Sequence, residues 1–298
     1  MKKQLIIGLI ALGLALTPIA SLGQKKMIQV KGSDTMVNLV QILAEEYMAK
    51  NPRSALAVLG GGSGTGITAI INRTCDIANH SREWRQKEID LAWEKGVKPR
   101  FFAIAVDGLS IIVNESNTVE TLTMTQVGAI YRGEIKSWKA VGGPEKPVSL
   151  YGRQSNSGTY VFMQEHVLGN KNYSPDVKEM NGNAQIIEGV INDEGGVGYV
   201  GVGYLNDKDG KIRKGLKVLK ISKDPKGEAF SPLDKAAVDS GDYPIARALY
   251  QATSGKPNDA VAAFIRFETS PEGQKIVERE GFFTIGAGQI EENNKNLK

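Results

Sequence analysis

The chain has 298 residues and a formal net charge of +4, and no basic tract marks it for nucleic acid. Its one cysteine, Cys75, cannot form an internal disulfide. Stability therefore rests on core packing, and Cys75, lying in an apolar run, reads as a small core residue rather than a nucleophile.

The chain opens MKKQLIIGLIALGLALTPIASLGQKK, with Lys2 and Lys3 ahead of an apolar run from Leu5 to Leu16. That run of about a dozen residues is too short to cross a bilayer. Pro18 breaks it, and Ser21-Leu22-Gly23 places small residues before Gln24. The pattern predicts a signal peptide over residues 1–23 and, with no cysteine at the cleavage point, no lipid anchor. Losing Lys2 and Lys3 lowers the charge from +4 to +2 (4 − 2). No later segment approaches the roughly 18 to 20 apolar residues of a membrane helix, so the chain reads as an exported soluble protein of about 275 residues, enough for two modest domains.

Strand and helix signals then alternate. MIQVKG is a short strand, and residues 35–50 carry Leu39, Val40, Leu43 and Tyr47 at helical spacing until Asn51-Pro52. ALAVLG is a second strand running into GGGSGTGI, and Ile67, Ile70 and Ile71 predict a helix from about Gly64. CDIA reads as a third strand, followed by a charged helix over 82–95. RFFAIAVDGLSIIVN is a long double strand interrupted at Asp107-Gly108. A second block opens at Thr123, whose spacing to Gln126 is that of a capping box. VSLYGR is a strand, 157–168 and 184–192 are helices, GVGYVGVGYL is strand and turn, and LKVLKIS is one strand. The tail gives YPIARALYQAT as a strand and helices over 259–268 and 274–280, hinged at Ser270-Pro271.

This order implies an α/β fold of mainly parallel sheets flanked by helices, in two lobes with a ligand cleft between them. The first lobe takes residues 24–107 and regains 243–298; the second takes 108–242. Strands near Val106–Ile111 and in YPIARALY are expected to cross between them.

Three hydroxyl-rich turns each precede a helix: GSDTM (32–36), GGGSGTG (60–66) and GRQSNSGTY (152–160). Any one of them is explained by helix capping. Together, two with Ser-Gly-Thr and one with Arg153, they suggest helix N-termini converging on one anion through backbone N–H groups, hydroxyls and a guanidinium. The glycine run lacks the lysine of a P-loop, and Arg153 is the candidate for its charge. Such a site needs no metal or cofactor. Catalysis finds little support: the histidines are only His80 and His166, GGSGT departs from GxSxG at Thr65, and no metal-ligand spacing is present. His80 is a candidate for a polar role near the anion or for a structural one, and His166 reads as surface.

These motifs carry a family likeness. GSDTM, GGGSGTGI, DIANHSRE, AVDGLSIIVN, IYRGEIKSW, GRQSNSGTY, GGVGYVGVGYL and YPIARALY occur in the order found in the PstS-type phosphate-binding components of bacterial phosphate ABC transporters, and the likeness runs from about Ile28 to Gly286. The resemblance implies a monomeric periplasmic binding protein, two lobes closing over dehydrated phosphate, and an inner-membrane permease as partner. It implies ligand contacts from Ser33, Thr35, the Met36 backbone, Ser63, Ser81, Arg153, Ser157, Gly158 and Thr159. Many members place an aspartate where Ser81 stands here, a carboxylate that accepts the proton of phosphate and repels sulfate. Arg82 is then either a second charge donor or a salt-bridge residue. Asp34 and Asp107 are the candidate replacement acceptors, with helix-start and arginine-pairing roles as their alternatives; Arg82 and Arg153 are the expected partners of Asp107. Sulfate, molybdate and tungstate remain competing ligands.

Overall fold

The computed structural model describes residues 27–298; the predicted signal segment and its cleavage point lie outside the described residues. In chain order the elements are β1 (Ile28–Gly32), α1 (Val37–Lys50), β2 (Leu56–Gly61), α2 (Ser63–Ile71), β3 (Ile77–His80), α3 (Gln86–Glu94), β4 (Arg100–Gly108), β5 (Ser110–Asn114), β6 (Thr121–Thr123), α4 (Met124–Tyr131), β7 (Ser149–Arg153), α5 (Gly158–His166), β8 (Lys178–Met180), α6 (Asn183–Ile191), β9 (Gly196–Val200), β10 (Leu216–Val218), β11 (Lys220–Ser222), β12 (Ala229–Phe230), α7 (Lys235–Ser240), β13 (Ala246–Thr253), α8 (Asp259–Glu268), α9 (Pro271–Arg279) and α10 (Ala287–Asn296).

Two five-stranded sheets organise the chain, in the orders β2-β1-β3-β13-β4 and β10-β5-β9-β7-β8, with β12-β11-β6 as a small third sheet. Parallel pairing joins β1 to β2 and β3, and β7 to β8 and β9. The pairings of β13 and β5 are antiparallel, so each sheet is mixed. Both antiparallel insertions sit where the chain passes between sheets: β4 runs into β5 through Leu109, and β13 follows α7 back into the first sheet.

Several boundaries differ from the sequence expectations, each for a local reason. The third strand lies two residues later than CDIA: Asp76 meets Gln29 of β1 with its amide on the carbonyl and its carboxylate, in place of a backbone carbonyl, on the Gln29 amide, and the regular ladder starts after it. The helix expected from residue 82 begins at Gln86. The Glu88 carboxylate takes both the Arg85 amide and the Arg82 guanidinium, fixing the start there and leaving 82–85 extended. LKVLKIS is two strands in two sheets: β10 pairs with β5, Leu219 N–H donates to Ile111 C=O, and β11 then pairs with β6. Ser270-Pro271 is a helix start, with Ser270 accepting from the Gly273 amide and proline at the first helical position, where its missing N–H is no loss. The Thr123–Gln126 capping box forms as expected.

Apolar side chains pack in three clusters. One lies beneath α2 and α3, and one on the far face of the second sheet. The largest joins Ile28, Leu39 and Phe264 of the first sheet's layers to Ile112, Ile186 and Val200 of the second. The helix α10 covers the exposed edge of β4: Asn293 exchanges hydrogen bonds with the backbone of Ala103 at 2.9 and 2.7 Å, which blocks further pairing at that edge.

Candidate functional site

The loops after β1, β2 and β3 meet the loop after β7 where the two sheets face each other. Ser33, Thr35, Ser81, Arg153, Ser157 and Thr159 are each 1% exposed there, and Ser63 is 0%. Thr35 Oγ1 lies 3.1 Å from Thr159 Oγ1, so the first turn of one sheet touches the helix start of the other. Ser63 Oγ accepts from the Ser81 amide at 3.1 Å and lies 3.4 Å from Ser81 Oγ. A Cβ at Gly158 would fall 2.2 Å from Ser63 Oγ and 2.7 Å from Ser81 Oγ. Only glycine lets the α5 N-terminus settle on that pair. Ser157 caps the same helix, accepting from the Thr159 and Tyr160 amides. Ser33 anchors its turn, its amide donating to Asn79 C=O and its carbonyl accepting from Met36 N–H at 3.1 Å. The Met36 amide is therefore held within the turn, and its side chain is wholly buried in the core.

Arginine placement departs from expectation. Arg153 directs Nε to Met180 C=O at 3.1 Å and one terminal nitrogen to Asn181 C=O and Asp34. Asp34 is thereby a linker between the sheets: it pairs with Arg153 at 2.5 Å and accepts from Gly61 N–H at 2.8 Å. Arg82 is a salt-bridge residue, held by both oxygens of Glu88 at 2.7 and 2.8 Å. The cation in direct contact with the hydroxyls is Arg247, which sequence reasoning passed over although it lies within the quoted YPIARALY. Its terminal nitrogens donate to Thr159 Oγ1 at 3.0 Å and to Ser81 C=O at 2.9 Å, and one lies 3.5 Å from Thr35 Oγ1.

Arg247 is in turn the partner of Asp107, in place of Arg82 or Arg153. The two are directly opposed in the β4–β13 ladder, with Arg247 Nε and Nη2 at 3.1 and 2.9 Å from one carboxylate oxygen. The other oxygen accepts from Val202 N–H at 2.8 Å. Asp107 is wholly buried; burial pushes its pKa up while Arg247 and the Val202 amide pull it down. The pKa of Arg247 is lowered first by burial, against the pull of Asp107, and further by the like charge of Arg153. Arg247, held by Asp107 and touching the Thr35 and Thr159 hydroxyls, and Arg153, held by Asp34, give this locus charged donors beside neutral ones, a set that suits an anion.

His80 takes no part in that locus. Its ring stacks on Tyr250 and meets Phe101 and Trp84 edge-on. Its Nδ1 lies 2.7 Å from Arg82 C=O, and burial lowers its pKa to about 4. His166 is exposed, stacked on Phe162 of its own helix.

A model of the PBP superfamily domain matches residues 19–272. The phosphate-binding protein PstS of Pseudomonas aeruginosa is 31% identical over 283 residues, covering 89% of this chain and 85% of its own. That of Staphylococcus haemolyticus is also 31% identical, over 90% and 84%. The chain belongs to the PstS family of phosphate-binding proteins. Solved structures agree: a Clostridium perfringens protein with bound phosphate superposes with a TM-score of 0.76 at 25% identity, covering 87% of this chain and all of its own. An ABC-type phosphate transport receptor from Vibrio cholerae gives 0.69, again at 25% identity over 87% of this chain and all of its own. PstS membership fits the donor set described above, in which hydroxyls and guanidiniums converge from both sheets.

Proposed function

We propose that this protein captures inorganic phosphate between its two sheets and delivers it to an ABC transporter permease. One observation carries the reading: the Thr35 and Thr159 hydroxyls lie against the Arg247 guanidinium, with those of Ser63, Ser81 and Ser157 at the same helix start, all almost wholly buried. These residues and the Gly158 amide form the proposed site. Asp107 sets the orientation of Arg247 and Asp34 that of Arg153, and these two carboxylates are the candidates for the acceptor role that an aspartate at the Ser81 position has in other members. Since the donors face away from water, ligand reaches them only when the two sheets part, and hinge-like parting is natural where the chain crosses at residues 108–110 and 241–246.

The protein works as a monomer in the periplasm, with residues 1–23 as the export signal and a membrane permease as its partner. No residue is asked to do chemistry, and no cofactor is needed. Calorimetric titration of refolded, anion-free mature protein with phosphate, sulfate and molybdate at pH 6 and pH 8 tests the reading. Micromolar or tighter binding of phosphate alone at both pH values is the expected outcome; preference for sulfate or molybdate overturns it.

A further inference from the structure

The glycine run finds acceptors within the protein for its own backbone. Gly61 N–H goes to Asp34, Thr65 N–H and Gly66 N–H go to Gly62 C=O, and Gly64 N–H crosses to the other sheet's loop, donating to Asn156 C=O at 3.0 Å. Asn156 answers with its side chain, Nδ2 donating to Gly61 C=O at 2.9 Å. At Gly62 only glycine fits under it, and at Gly64 a larger residue would press on it. A Cβ at Gly62 would lie 2.7 Å from Asn156 C=O, at a positive φ of 88° that disfavours other residues, and one at Gly64 would lie 3.3 Å away.

Asn156 is presented rigidly from its own side. Ser157 N–H closes a turn onto Gln154 C=O, and the Gln154 amide is bonded to Asn181. Unlike the buried hydroxyls beneath it, Asn156 is exposed, so it sits at the rim. A second rim contact, Arg85 Nε to Glu165 Oε1 at 3.0 Å, joins α3's start to α5 on half-exposed side chains.

We propose that Asn156 and the glycine run form a rim clasp that sets the rate of ligand release without touching the ligand. The clasp is a reciprocal pair of hydrogen bonds between the sheets, made only when they are together. Encounter occurs with the sheets apart, so losing the clasp does not slow association. Release requires both bonds to break, so the release rate depends on it. The proposal rests on phosphate as the ligand.

Stopped-flow rates for inorganic phosphate on the full mature chain test it. Asn156→Ala removes the Gly61 bond, and one neutral hydrogen bond predicts release faster by about five-fold with association not slowed. Gly64→Ala leaves helical backbone and improves helix propensity, so it is expected to melt no lower than the parent while pressing on the Asn156 carbonyl and speeding release. Unchanged release in both variants, or association slowed as much as release is quickened, overturns the clasp. If the parent binds no phosphate, the ligand assignment fails. The clasp is then read without ligand, from the distance between spin labels at exposed Lys87 and Asp176: Gly64→Ala should lengthen or broaden the distribution, and identical distributions overturn it.

Discussion

At the scale of single residues, Arg247 separates binding from stability. Its planar fork holds Asp107 with two nitrogens while reaching Thr159 and the Ser81 carbonyl. Lysine keeps the charge but places its three donors on a single nitrogen, which cannot span the carboxylate, the Ser81 carbonyl and the hydroxyls as the separated nitrogens of the fork do. Arg247→Lys is expected to weaken phosphate binding by about 10- to 100-fold, the worth of a charged hydrogen bond, with the fold retained; titration calorimetry beside a melting curve checks both. Arg247→Met goes further, because it leaves Asp107 buried without its counter-charge, and is expected to lose about 3–5 kcal/mol of stability. The residue was visible in the sequence, but its role was not. An arginine in an apolar strand looks like a half-buried edge residue, and its partner stands 140 positions away. The hydroxyls were easier to find because each sits beside glycines at a helix start, where local pattern and local chemistry coincide. Arg153 stands out in the sequence for the same reason, but the sequence shows only the guanidinium and not the Met180 and Asn181 carbonyls that take its donors.

At the scale of elements, legibility followed local hydrogen bonding. The Thr123 capping box and the alternation of strands and helices are local and were foreseen. The α10 helix was not, since GQIEENNKN has too few apolar residues to show a period and is held by Asn293 and Asn296 on the β4 edge. The packing of α8 on β13 carries a pH signature. Glu268 is wholly buried, and burial holds its pKa well above the usual carboxylate range, with Gln251 Nε2 as a donor at 3.0 Å. Glu268 Oε2 and Gln251 Oε1 have no hydrogen-bond partner among the described residues. A raised folded pKa means the folded state holds the proton longer, so stability is fullest below the unfolded carboxyl value near 4.3 and falls as pH rises towards the folded value. His80, with its folded pKa lowered to about 4, acts oppositely, and its contribution is lost as pH drops below about 6.5. Above about pH 7.5 the imidazole is neutral in both states, which isolates Glu268. Glu268→Gln keeps the acceptor for Gln251 and supplies an N–H for Gln251 Oε1. It is expected to raise stability at pH 8 and flatten its decline with pH, by up to about 1.4 kcal/mol per unit removed; urea denaturation at pH 7.5, 8 and 8.5 measures this. An unchanged slope would show that Glu268 is ionised in the fold.

At the scale of the whole molecule, the two sheets are expected to unfold together. Two lobes joined by crossing strands usually suggest separable units, yet the largest apolar cluster here runs through both sheets. The bridge is the turn after β9: Val202, Tyr204 and Leu205 are buried with Phe282, and a Cβ at Gly203 would fall 2.2 Å from the Phe282 ring. Tyr204 Oη donates to Asp34 C=O at 2.6 Å, and the Asp107 carboxylate holds the Val202 amide, so polar ties flank the apolar ones. Melting either sheet alone would expose the shared cluster and strand a buried ion pair, costs that fall on the sheet left folded. Calorimetry should therefore give a single transition with calorimetric and van't Hoff enthalpies equal. Phosphate held by donors from both sheets has its site only in the folded chain, so at a thousand times its dissociation constant it should add about 4 kcal/mol to that one transition. Ligand that shifted one of two resolved transitions would mean that the cluster through Val202 and Phe282 does not couple the sheets. The rim clasp and the Arg247–Thr159 contact would then be the chief links that phosphate draws together.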